Sequence, residues 1–125
     1  MREEVRNWLS QAKADLEAAQ DSLKSGHYEW ACFQSQQAAE KALKALYIHK
    51  KRTALITHNV VTLAQALKAP NSVVEAAREL NADYVTARYP DAANGIPSEQ
   101  YSQPMAEKHL TAGKKVMQWV RRFLR

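Results

Sequence analysis

The chain has 125 residues, 46% of them hydrophobic and 25% charged, with a formal net charge of +5; this length suits one core and no second, so a single domain over 1–125 is expected. The composition excludes a disordered or low-complexity chain. No apolar run nears the ~20 residues of a membrane-spanning helix, and MREEVRNW carries charges where a signal peptide would be apolar, so the expected location is the cytoplasm, away from membranes.

Between Glu3 and Lys24, the residues Val5, Trp8, Leu9, Ala12, Leu16, Ala19 and Leu23 recur at steps of three and four, the period of one amphipathic helix. Ser25-Gly26 supplies its stop, because glycine takes the left-handed conformation that closes a helix. Tyr28 to about Lys50 reads as a second helix, rich in good helix formers and free of Gly and Pro. Trp30, Phe33, Gln37 and Lys41 lie on a different stripe from Ala31, Ala38, Ala42, Ala45 and Leu46, as expected of a central helix or a dimer helix with neighbours on both sides. Its polar residues Gln36, Gln37, Glu40 and Lys41 are candidates for hydrogen bonds to a second subunit or a partner. Cys32 is the only cysteine, so no internal disulfide and no cysteine-based metal cluster is expected, and the thiol reads as buried and inert.

Thr57 is the expected N-cap of a short helix from His58 to Leu67, ended by Ala69-Pro70. Ser72 and Glu75 have the spacing of a capping box opening a fourth helix, with Val73, Ala77, Leu80 and Tyr84 as its apolar stripe and Pro90 beyond its end. Tyr89 to Ser102 reads as an ordered surface loop. A last helix carries Ala106, Leu110, Gly113, Met117, Val120 and Leu124, with Arg121, Arg122 and Arg125 near the negative end of its dipole. No strand pattern and no repeat is present. The expected fold is all-α, an up-and-down bundle of about five helices, one of them short.

The segment YEWACFQSQQAAEKALKALYIHK, the His58 that opens the third helix, and the run from Asp83 through Arg88-Tyr89-Pro90 to Asp91 resemble the HEPN domain family, in the family's order and over nearly the whole chain. The resemblance implies a helical bundle, often a homodimer, paired with a minimal nucleotidyltransferase in a two-component, toxin–antitoxin-like system, binding nucleotide or RNA. Many members are metal-independent ribonucleases that use an Arg and a His a few residues apart. Here the first His after Arg88 is His109, so that motif is not evident at the end of helix four. Arg52 and His58 match its spacing nominally, in the loop before helix three.

The candidate ligand-binding residues are Arg88, Tyr89, Tyr84, His58 and Lys51, and the weak catalytic candidates are Arg52 and His58. A guanidinium beside an aromatic ring can grip a phosphate while the ring stacks on a base, and Tyr84 lies one helical turn before Arg88. The plainer role for Arg88 is to cap the end of helix four, and for His58 to bond a neighbouring loop. An Arg–His pair could cleave RNA without a metal, the His moving a proton and the Arg steadying the phosphate. The clusters His49-Lys50-Lys51-Arg52, Lys114-Lys115 and Arg121-Arg122 could track a polyanion or simply face solvent. Trp8, Trp30 and Trp119 read as core or dimer packing rather than base-stacking platforms. His27, His49 and His109 have no spacing that makes a metal site, and no cofactor is expected. The function expected is a nucleotide- or nucleic-acid-binding module acting with the transferase; the alternatives are a ribonuclease toxin and a non-catalytic scaffold for the transferase.

Overall fold

The Tyr28–Lys51 helix buries five alanines along its length, which lets neighbouring helices approach it closely. In the computed structural model, which describes residues 1–124, the elements are α1 (Glu3–Lys24), α2 (Tyr28–Lys51), α3 (Val60–Ala66), α4 (Asn71–Leu80), α5 (Asp83–Thr86), α6 (Pro90–Ala93), α7 (Pro97–Gln100) and α8 (Gln103–Arg121). No strand occurs among the described residues. The all-α bundle is as expected, with five helices of about two turns or more. The segment read as a loop adds the single turns α6 and α7, and the end of the fourth helix breaks off as α5. Arg125 lies outside the described residues.

Helix α2 is central, packing α1 on one side and α8 on another while also touching α3 and α4. Ala31, Ala38, Ala39, Ala42 and Ala45 are fully buried along it, with Leu43 and Leu46 between them. From α1 the core receives Val5, Leu9 and Ala12; from α3 and α4 it receives Val60, Leu63, Val73, Ala77 and Leu80; from α8 it receives Val116, Met117 and Val120. On α8, a Cβ at Gly113 would stand 3.2 Å from the Ser35 carbonyl oxygen, so the helices meet there at backbone distance. No described helix is long and apolar enough to cross a membrane.

The first helix ends where Gly26 predicts. Gly26 has φ +80°, its N–H donates to the Leu23 carbonyl and the His27 N–H to that of Ser22, a Schellman closure. Two expected caps are replaced. At α3 the N-cap is Asn59, whose side chain accepts from the Thr62 N–H, while Thr57 Oγ1 accepts from the Asn59 N–H, so the helix begins later than His58. The Ser72–Glu75 capping box does not form: α4 already starts at Asn71 after Pro70, without a side-chain cap, and Glu75 pairs with Arg78 instead. The end of α3 is set by Lys68, at φ +55°, with the Ala69 N–H donating to the Ala64 carbonyl, before Pro70 is reached.

Gln36, Gln37, Glu40 and Lys41 find partners within the chain. Gln36 Nε2 donates to Glu40 and to the His58 carbonyl, Gln37 Nε2 donates to Gln36, and Lys41 pairs with Asp15 of α1 at 2.6 Å. Of the tryptophans, Trp119 is buried and Trp8 packs against the core, whereas Trp30 is 45% exposed.

Candidate functional site

Helices α2 and α5 and the turn between α5 and α6 bring Phe33, Tyr84, Arg88 and Tyr89 together. The Arg88 guanidinium carbon lies 4.6 Å from the ring centroids of both Phe33 and Tyr84 and 5.0 Å from that of Tyr89. Its Nε donates to the Tyr84 carbonyl at 2.7 Å, which is the capping role read from the sequence. The two roles coexist, because one bond pins Nε while the terminal nitrogens remain outside it. The rings hold the group by their negative faces. Trp30 meets Phe33 edge-on at 5.9 Å. Together with Tyr89, 48% exposed, it widens an aromatic face around the cation.

His58 reaches this face from the loop before α3. Its ring stacks on Tyr84 at 4.1 Å with an interplanar angle of 14°, and its Nδ1 lies 3.1 Å from Glu40. Glu40 is buried in the middle of α2 and also accepts from Gln36 at 3.1 Å and from Lys44 at 3.0 Å. A carboxylate with three partners is fixed, and it fixes the imidazole in turn. The His58 side chain is 56% exposed, with Nε2 as the nitrogen left to meet a ligand.

Four of the five expected ligand-binding residues, Arg88, Tyr89, Tyr84 and His58, are thereby joined by direct contacts. Lys51 ends α2, exposed. Arg52 follows it as a left-handed C-cap with φ 58°, lining a shallow hollow with Met1, Arg2 and His49. None of the described hydrogen bonds, ion pairs or ring contacts links Lys51 or Arg52 to His58. Phe33 and Glu40 are the site residues that the sequence reading did not assign. Phe33 was marked by its place on the second stripe of α2, and Glu40 by being a carboxylate in an otherwise apolar helix.

Beneath the aromatic face lies a second polar group. Asp83 of α5, 3% exposed, accepts from the Tyr101 hydroxyl at 2.9 Å and is hydrogen-bonded to His109 Nδ1 of α8. The other imidazole nitrogen, Nε2, lies 3.2 Å from Glu79. Burial alone would lower the His109 pKa, but the hydrogen bond and charge of Asp83 and the charge of Glu79 outweigh it, and the imidazole is held above its ordinary range. Cys32 is fully buried beside this group. Burial first, and then the charges of Asp83, Glu29 and Glu79, push its thiol far up, which keeps it unreactive so long as it is a free thiol. His109, which had no telling neighbours in sequence, has two carboxylates and a thiol around it in space.

A model of the HEPN domain matches residues 5–123. The fold is similar to that of TT1696 from Thermus thermophilus, at 37% identity and a TM-score of 0.91, over 98% of this chain and 100% of that one. It is also similar to ST0689, described as an archaeal HEPN homologue, at 32% identity and a TM-score of 0.86, over the whole of both chains. In sequence the chain is 28% identical to the Methanocaldococcus jannaschii protein named "Putative toxin MJ1304", over 94% of this chain and 86% of that protein.

Proposed function

Because the chain belongs to the HEPN domain family, we propose that it is the toxin-like member of a two-component system, binding nucleotide or RNA at the Arg88 face, as a homodimer and under the control of a minimal nucleotidyltransferase. The observation that carries the binding reading is the Arg88 guanidinium held against Phe33, Tyr84 and Tyr89 with His58 alongside. Such a group supplies a bidentate donor for a phosphate and exposed rings for a base. The net charge of +5 favours encounter with a polyanion. The relative named as a toxin supports the toxin-like part.

The test is equilibrium binding of labelled RNA and of mononucleotides at low and high salt, for wild type and Arg88→Ala. Binding that weakens with salt and falls in the variant is the expected result. Absence of binding in both proteins would leave a scaffold for the transferase as the better account. Co-purification of the chain with an adjacently encoded transferase tests the partner.

One observation favours a ribonuclease as the second reading: Glu40 holds His58 by Nδ1 and leaves Nε2 free on the face that carries Arg88. In that reading Nε2 takes the proton of a 2′-hydroxyl, the freed oxygen attacks phosphorus, and the bond to the 5′-oxygen breaks, that oxygen taking a proton from water. Cleavage that persisted in His58→Ala would exclude it.

A further inference from the structure

We propose that Cys32, Asp83 and His109 form a zinc(II) site inside the bundle. They come from three elements, α2, α5 and α8, and one ligand atom from each lies within 4.8 Å of the others. Their exposures are 0%, 3% and 8%, so the donors converge in the interior and not on a solvated rim. A thiol, an imidazole and a carboxylate form the mixed sulfur, nitrogen and oxygen set that zinc takes, whereas magnesium and calcium take oxygen.

The surroundings fix which atoms of these donors face one another. Glu79 lies 3.2 Å from His109 Nε2, so Nδ1 is the nitrogen turned toward Asp83. The Tyr101 hydroxyl donates to Asp83 Oδ1 at 2.9 Å, so Oδ2 is the oxygen that meets His109 Nδ1. Outer carboxylate and hydroxyl partners of this kind fix the ring tautomer and aim the ligand lone pairs in metal sites.

On binding, zinc forms bonds to Nδ1, Sγ and Oδ2, and the protons that Nδ1 and Sγ carry leave to solvent; no electron is transferred. Zinc–ligand bonds of about 2.0–2.3 Å imply ligand atoms roughly 3.5 Å apart, so side-chain rotation must close the widest separation by about 1 Å and open the Nδ1–Oδ2 hydrogen bond to admit the metal. The bound metal would tie α5, which carries Tyr84 on its other side, to α2 and α8. The inference does not depend on what the Arg88 face binds.

The experiment uses the full chain, stripped with chelator and checked by far-ultraviolet circular dichroism, then titrated with cobalt(II) and with zinc(II). Expected are one metal per chain, a sulfur-to-cobalt charge-transfer band that zinc abolishes, and proton release on binding in weakly buffered solution. Cys32→Ser removes the band, and Glu79→Gln weakens zinc binding by about 10- to 100-fold. A natively folded wild type that takes up no stoichiometric metal overturns the proposal, as does cobalt binding with the same spectrum in Cys32→Ser. Should that variant misfold, the wild-type stoichiometry and band alone decide.

Discussion

The two sides of α5 differ in everything except their position in the sequence. Asp83 points inward to His109 and Tyr101, while Tyr84, the next residue, lies under Arg88 and His58 at the surface. Successive helical residues point about a quarter-turn apart, so one short helix serves both sides. A four-residue helix has almost no stability of its own. The contrast teaches that the inner side anchors what the outer side presents: charge buried and fully partnered below, charge held against rings and open to ligands above.

The most severe way to break this relation is at Asp83. In Asp83→Asn the buried His109 imidazole loses its main carboxylate partner and keeps only Glu79, itself partly exposed. Removing one partner of a buried pair costs about 3 kcal/mol, expected as a lower urea midpoint with an unchanged slope. Ligand binding at the Arg88 face should weaken as well, since α5 is loosened. An unfolding midpoint equal to that of wild type would mean that the inner side is no anchor.

Arg88→Ala strikes the outer side alone. Loss of a bidentate, charge-assisted contact should weaken phosphate-ligand binding by about 10- to 100-fold, or roughly 1.4–2.7 kcal/mol. Stability should fall by only about 1 kcal/mol, the value of surface cation–π contacts. Arg88→Lys keeps the charge but loses the planar fork, so its binding should fall between the two. Equal binding by Lys and Arg would show that charge matters and stacking does not. Isothermal titration and thermal melts on the same preparations separate the two quantities.

The outer side was legible in the sequence because its residues are nearly contiguous: Tyr84, Arg88 and Tyr89 fall within two helical turns, and the Arg-Tyr-Pro turn marks them. His58 was visible as the residue opening the third helix. The inner side was not, since Cys32, Glu79, Asp83, Tyr101 and His109 are scattered over four elements and an intervening turn, and no spacing announces a contact made only by folding. Boundaries divided in the same way. Gly26 announced its own turn, but Arg52, Lys68 and Asn94 adopt positive φ without being glycine, under the pull of closing hydrogen bonds that residue type does not reveal. The Ser72–Glu75 pattern misled because the helix starts at Asn71 after Pro70, two residues too early for that serine to cap it.

Arg52 gives the smallest effect and the cleanest separation of place from role. Its φ of 58° and ψ of 25° close α2, with its N–H donating to the Ile48 carbonyl, and a side chain in that conformation costs about 1 kcal/mol that glycine avoids. Arg52→Gly should therefore raise stability by about 0.5–1 kcal/mol, offset slightly by greater freedom in the unfolded chain. If the nominal pairing of Arg52 with His58 were a working site, the same substitution would abolish ligand binding or cleavage while the melting temperature rose. The contacts of His58 with Glu40 and Tyr84 predict the opposite: a slightly more stable protein whose RNA binding matches wild type, apart from a salt slope lower by at most about one unit for the lost positive charge.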